Sequence, residues 1–490
     1  VNALDMVIAA FDPVRALKRS RARLQLEFVR RYEAVAKGRR TESWLTQSTS
    51  ANAETLLALA SLRDRSRDLV RNNPWAARAV QAIVSNTVGH GITAKIDAPT
   101  KTAAKKITQK WKDWAETSTC DADGRHDLYG LQALIDRTVT EAGECLVRRR
   151  WRKVSDGLPV PLQIQVLEPD YLDHSRNELL PNGGRIIQGV EFDPIGRRAA
   201  YWLYPDHPGD VMSTRSMSRR IDAGEIAAVF RVDRPGQVRG IPWAAPVVLT
   251  LRDLDDYEDA YLFRQKIANC FTGFIYDMDG QGGTTTAPVA ESIEPGRLEF
   301  LPAGKDIKFA VPPPAGDYGL FTKDILLRIA AGFGITYQAL TGDLSTVNFS
   351  SGRMGWLEFQ RNIDTWRWHM LIPQACDVIS KWFLESVELS QGINTDGVRF
   401  NWTPPRREMI DPKSEVPPLI SAIRGGLKSL PEAHREYGMD SEEVLNEIAQ
   451  TNSLIDQLKL TLDTDPRHTT SNGSAVQQDQ NTPDPNITGN

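Results

Sequence analysis

Apolar residues change their spacing along this chain. Between about 144 and 232 they tend to fall on alternate positions, and on either side they recur every three or four residues. Alternation predicts half-buried strands, and the wider spacing predicts amphipathic helices. In "PLQIQVLEP" Leu162, Ile164 and Val166 share one face. "RIIQGVEFDPIGRRAAYWLY" predicts two strands around a turn at Asp193-Pro194-Ile195-Gly196, and "EIAAVFRV" predicts another strand.

The helical pattern begins earlier. Residues 11–45 predict a basic helix with a partial stripe of Phe11, Val14, Leu17, Leu24, Phe28 and Tyr32. A second helix runs through "LLALASLRDRSRDLV". The next is punctuated: Asn73 suits its cap, Pro74 its first position, and Gly89 or Gly91 its end. After the strands, a helix over 243–269 holds Pro246 in its first turn, and 271–316 reads as short strands and Gly/Pro-rich turns. "LFTKDILLRIAAGF" predicts a helix that stops at Gly332–Gly334, and Thr341 to Gly352 lacks apolar periodicity and predicts a loop. A long helix over 353–388 turns Trp356, Phe359, Ile363, Trp366, Met370, Ile379 and Phe383 inward. Pro373 predicts a kink in it, because proline removes a helical hydrogen bond. Two or three short helices follow over 414–460, and 463–490 carries too few large apolar side chains to predict order.

Composition adds limits. The 490 residues are 41% apolar and 25% charged, which suits several buried cores in two to four domains or one elongated subunit. Net charge is -4, yet residues 1–40 hold ten Lys/Arg against four Asp/Glu. No apolar run reaches the length of a membrane span. The short apolar stretch near the start lies between Asp5 and Asp12 with the basic block after it, the reverse of a secretory signal. Cys120, Cys145, Cys270 and Cys376 are far apart and form no CxxC pair, so neither a zinc site nor a disulfide framework is expected, and assembly in a reducing cytosol is.

The candidate chemistry lies in three places. The 243–269 helix carries Asp253, Asp255, Asp256, Glu258 and Asp259, and helical spacing puts Arg252, Asp255, Asp256 and Asp259 on one face. That face suits a solvated surface, a metal-dependent nuclease, or a wall that repels something negative. Repulsion between Asp255 and Asp259 costs only roughly 0.2–0.5 kcal/mol, so it decides nothing. The basic arm, with Arg15, Lys18, Arg19, Arg21, Arg23, Arg30 and Arg31, suits a solvated helix, a phosphate contact or an acidic partner. Trp356, Trp366, Trp368 and Trp382 suit core and subunit interface better than base stacking. There is no GxxxxGK[ST], GxSxG or HExxH, so no nucleotide, metal or other cofactor is expected.

Taken in order, several stretches resemble the portal proteins of tailed bacteriophages, of the lambda-like family. They are "VRNNPWAARAVQAIVSNTVGHGI", "QVLEPDYLD", "IIQGVEFDPIGRRAAYWLYPDHPG", "VFRVDRPGQVRGIPWAAPVVLTLRDLDDYEDAYLFRQKIANCFTGFI", "LEFLPAGKDIKF" and "LLRIAAGFGITYQALTGDLSTVNFSSGRMG". The resemblance covers about residues 10–460. It implies an elongated α+β subunit of a dodecameric ring and no enzyme activity. The ring would conduct double-stranded DNA at one capsid vertex, dock the terminase motor, then meet head-completion or tail proteins, alongside capsid and scaffold proteins. It implies an arm and wing over 1–242, a stem helix at 243–270, a clip at 271–317 and a second stem segment at 318–340. A tunnel loop at 341–352 follows, then a kinked helix returning to the wing at 353–413, a crown at 414–462 and a disordered tail at 463–490. Ser345, Thr346, Asn348, Ser350 and Ser351 would then face DNA from the tunnel loop. Asp255, Asp256 and Asp259 would line the channel or meet a neighbour's Arg264 or Lys266. Another head–tail connector is the structural alternative.

Overall fold

The computed structural model describes residues 48–211, 217–269, 273–277, 305–309, 318–345, 347–405, 411–460, 462, 465 and 467. The arm residues Arg15, Lys18, Arg19, Arg21, Arg23, Arg30 and Arg31 lie outside the described residues, as do Thr346, most of 271–317 and nearly all of 463–490.

Helices α1 (Ala51–Asn72) and α2 (Pro74–Thr87) meet at Asn73, whose side chain accepts the Ala76 N–H at 2.9 Å as the cap of α2. Strand β1 (Thr93–Asp97) leads to α3 (Lys101–Ala115) and α4 (Leu128–Ala142), capped by Thr100 and Asp127. Strands β2 (Glu144–Trp151), β3 (Leu162–Leu167), β4 (Glu178–Leu179), β5 (Arg185–Ile187), β6 (Val190–Phe192), β7 (Arg198–Leu203), β8 (Arg219–Asp222) and β9 (Ile226–Phe230) fill the alternating region. Then come α5 (Val248–Asn269), β10 (Gly273–Asp277), β11 (Lys305–Phe309), α6 (Tyr318–Phe333), α7 (Tyr337–Thr341) and α8 (Phe349–Trp366). A π-helical stretch (Arg367–Cys376) joins α8 to α9 (Asp377–Gln391), and β12 (Arg399–Thr403), α10 (Pro412–Arg424), α11 (Leu430–Glu436) and α12 (Ser441–Leu458) complete the order.

All the named strands pair antiparallel, in a three-stranded sheet β3-β2-β9, a five-stranded sheet β4-β5-β6-β7-β8, and the pairs β1-β12 and β10-β11. No barrel closes among the described residues, so the expected mixture of helices and sheets holds. Strand β2 is buried on both faces because its side chains alternate between two cores. Cys145 and Val147 enter the larger core with α2, α4 and the long helix, whereas Leu146 joins Leu167, Val190, Tyr201, Leu203 and Ile226 between the two larger sheets. In the larger core Trp111, Trp114, Phe383, Phe400 and Trp402 pack as an aromatic group, Trp111 meeting Phe383 edge-on at 4.9 Å.

"RIIQGVEF" is a hairpin instead of the single strand expected. Gln188 (φ 48°) and Gly189 (φ 83°) both take left-handed backbone, the two-residue turn that matches strand twist. A glutamine is held there because its amide reaches Thr55 and its carbonyl accepts from Arg239. The downstream helices also shift from expectation. Pro246 precedes α5 because the chain first turns through Ala245 N–H to Pro242 and Val247 N–H to Ala244, which buries Trp243. The predicted interruption at Pro373 takes the form of the π-helical stretch, a longer ladder that accommodates the missing N–H without ending the helix. Inward residues Phe359, Ile363, Trp366, Met370, Ile379 and Phe383 are all buried, and Trp356 is partly so. The short helices α10 to α12 fall where the sequence expects them, and Lys95 of β1 pairs with Asp440 at 3.0 Å and Glu442 at 3.1 Å.

Candidate functional site

Helices α5 and α6 form an antiparallel pair. Tyr261 stacks on Tyr318 at 4.3 Å and Tyr257 meets Phe321 at 4.7 Å near one end. At the other end Gly332 packs so closely on Val247 that any Cβ would overlap the valine. Each step forward on α5 therefore meets an earlier residue of α6. Gly334 (φ 75°) then breaks α6, and Thr336 caps the short α7 by accepting the Ala339 N–H.

The base of α5 is anchored through the turn before it. Arg239 is fully buried and donates to Glu144 Oε1 at 2.7 Å. Glu144 also pairs with Arg63 and accepts the Gly240 N–H at 3.0 Å. Arg63 donates to the Ala142 carbonyl at 3.1 Å, and Arg239 reaches the Gln188 carbonyl at 3.1 Å. One carboxylate thus ties α1, β2, the five-stranded sheet and the approach to α5. Burial alone would raise the Glu144 pKa, but Arg239 and Arg63 outweigh it and hold the carboxylate below its ordinary range. Sequence reasoning missed this group, because an arginine in a turn gives no sign that it is buried.

The acidic residues on α5 separate by environment. Asp255 is half-buried and accepts from the Asn73 amide at 2.7 Å. Asp253, Asp256 and Asp259 are exposed, and Asp256 lies 3.5 Å from Arg252 one turn earlier. Burial pushes the Glu258 carboxyl up, and Asp255 and Asp259 add to the rise. Among the described residues, the one group of His and carboxylates with ligand atoms within 4.8 Å of one another is Glu168, Asp170 and His207, none of which is on α5. Arg67 already pairs with both of those acids, at 2.8 Å to Glu168.

The expected 341–352 loop is shorter than its composition suggests. Thr341 ends α7 and α8 begins at Phe349. Asn348 caps α8 by accepting the Ser351 N–H at 2.8 Å, and Ser351 Oγ accepts the Asn348 N–H at 3.2 Å. This reciprocal box converts two presumed loop side chains into helix-terminal structure. Ser350 is exposed in the first turn, and Ser345 is exposed with its N–H bonded to Asp343 at 2.9 Å.

These elements lie in a chain with clear relatives. The family model for phage portal proteins of the lambda family matches residues 37–367. The chain belongs to that family. The probable portal protein of Halomonas phage phiHAP-1 is 27% identical over 459 residues, covering 88% of this chain and 87% of the relative. Portal protein B of Escherichia phage lambda is 22% identical over 461 residues, covering 83% of this chain and 86% of its own. A solved neck of an empty gene transfer agent particle matches with a TM-score of 0.47 and 15% identity, over 78% of this chain and 94% of the other. Phage portal proteins are structural components of the virion head, not enzymes, so the nuclease alternative for Asp255, Asp256 and Asp259 is not favoured. No helix among the described residues is long and apolar enough to cross a membrane.

Proposed function

We propose that copies of this portal protein form a dodecameric ring around a channel for double-stranded DNA at one capsid vertex. The ring docks the terminase motor during packaging and head-completion or tail proteins afterwards, and it assembles in the host cytoplasm beside capsid and scaffold proteins. The observation that carries this is the unbroken family match through both the sheet region and the α5–α6 pair.

The surface of that pair supports self-association. Leu249, Leu262, Phe263, Leu320, Phe321 and Leu327 are exposed on α5 and α6. Covering such a side chain fully gains about 1.5–3 kcal/mol, and a ring supplies an identical neighbour to do it. In this reading α5 and α6 are the stem, the sheets and long helix the wing, and α10 to α12 the crown. The clip at 271–317 leaves the stem at the end marked by Tyr261 and Tyr318. Its β10-β11 pair begins the projection toward motor and adaptor.

Exposed Asp256 and Asp259 suit a wall past which DNA must slide. Neutralising phosphates with Lys or Arg creates strong salt-dependent affinity, and carboxylates do the reverse. The basic arm would meet the capsid, the scaffold or outer DNA. Electron microscopy of the purified protein tests the proposal: rings with a central hole are expected, and uniform monomers would overturn it.

A further inference from the structure

The least explained polar group is Asp136, in the middle of α4. It is fully buried, and neither carboxylate oxygen has a hydrogen-bond partner. Its neighbours one turn away are well satisfied. Gln132 holds the Ile92 N–H at 2.7 Å and the Ile92 carbonyl at 3.0 Å, and Thr140 Oγ1 donates back to the Asp136 carbonyl at 2.9 Å. An ionised carboxylate without partners is far costlier to bury than its neutral acid.

The π-helical stretch reaches α4 and its partner α2 at both ends: Gln132 Nε2 of α4 lies 3.8 Å from Cys376 Sγ at its last residue, and its first residue, the buried Arg367, sits on the end of α2, from where its charge favours the ionised form of Asp136. The Arg367 guanidinium is committed elsewhere. Nε donates to the Thr87 carbonyl at 2.7 Å and Nη2 to the Asn86 carbonyl at 2.7 Å, which caps the negative end of α2. Nη1 lies 3.7 Å from Asp364. Among the described residues, the strands and helix packed on α4 carry these other charges: β2 holds Arg148, Arg149 and Arg150 toward its far end, with Arg149 paired to Glu225 and Glu385. Arg78 of α2 is exposed, Glu144 of β2 is neutralised by Arg63 and Arg239, and β3 and β9 carry no titratable side chain.

We propose that Asp136 and Arg367 form a proton-dependent latch between α4 and the long helix. With the acid protonated, Arg367 stays on the α2 carbonyls. When the proton leaves, the carboxylate draws the guanidinium away from them and loosens the start of the π-helical stretch. Burial pushes the Asp136 carboxyl up to about 7, offset only in part by Arg367, so the change falls near neutrality. A π-helical ladder is suited to absorbing such a shift, and α8 transmits it to the end capped by Asn348. The latch stands independently of what passes that end of α8. Only its consequence for DNA movement rests on the portal ring.

Two measurements on the full-length assembled protein test it. Infrared difference spectra between parent and Asp136→Asn across pH should contain a carboxylic-acid C=O band that the parent loses on titration near neutrality. Hydrogen-exchange protection of amides in 349–376, corrected for the intrinsic effect of pH, should fall several-fold over the same range in the parent and stay level in Asp136→Asn. Absence of the acid band in the parent below neutral pH overturns the protonated state. A titrating band with pH-independent protection overturns the latch and leaves the ring proposal untouched. Should Asp136→Asn fail to fold, Arg367→Gln serves instead: removing the cation must move the infrared midpoint to higher pH, and an unmoved midpoint overturns the pairing.

Discussion

Asn73 and Asp255 are joined by a 2.7 Å hydrogen bond between residues 182 positions apart. The same asparagine caps α2 through its carbonyl oxygen, so one buried side chain both starts α2 and holds the acidic helix α5 against it. Asp255 is therefore a tether, whereas Asp256 and Asp259 on the same helix are free to act outward.

Asp255→Ala should lower the midpoint of chemical unfolding, because it leaves the Asn73 amide unpaired in a buried place, at about 1–3 kcal/mol. Asp256→Ala and Asp259→Ala should change stability by less than about 0.5 kcal/mol. If α5 lines the proposed channel, they should instead slow DNA translocation through assembled rings at low salt. Equal destabilisation by all three would remove the distinction.

Gly332→Ala should push α5 and α6 apart, since its methyl overlaps Val247, at a cost of roughly 1–3 kcal/mol. The double variant with Val247→Ala should recover most of that loss. Thermal unfolding of the two variants checks it, and no recovery would mean that α6 is disturbed for another reason.

Glu144→Gln should be strongly destabilising, about 3–5 kcal/mol, because it leaves Arg63 and Arg239 buried without their counter-charge. The pH dependence has a definite sign. Because the folded pKa of Glu144 is depressed, its contribution is complete above the unfolded carboxylate pKa and is lost as pH falls through the folded value. Denaturation midpoints of the parent should therefore drop in acid, and the part due to Glu144 should vanish in Glu144→Gln.

Asn348→Ala should fray the first turn of α8 and cost about 1 kcal/mol, while Asn348→Asp should keep the cap. If this end of α8 meets DNA, packaged genomes should leak from particles carrying Asn348→Ala although rings still assemble. Retention equal to the parent, with the turn shown frayed by hydrogen exchange, would separate the cap from DNA holding.

Much of the architecture was legible as period and punctuation. The cap at Asn73, the alternation of Leu162 and Ile164 and the stripe from Phe359 to Phe383 are local signals, and each lies where its spacing predicts. Local signals failed where a distant contact or a reciprocal cap chose the conformation. The turn at Gln188 is made acceptable by Thr55 and Arg239, and Ser351 reads as loop until Asn348 is seen to bond with it.

The sequence by itself determined the class of this protein: amphipathic periods define its helices and strands, and an ordered set of stretches identifies it with the lambda-like portals. Tertiary structure alone decided which charges face water. Asp255 and Asp256 are adjacent and chemically identical, yet one is held by Asn73 and the other lies open beside Arg252. Arg239 and Asp136 are buried although their residue types favour the surface, one compensated by Glu144 and the other without a partner. Burial depends on what the rest of the chain brings alongside a residue, and that is a property of packing across hundreds of positions, not of local composition.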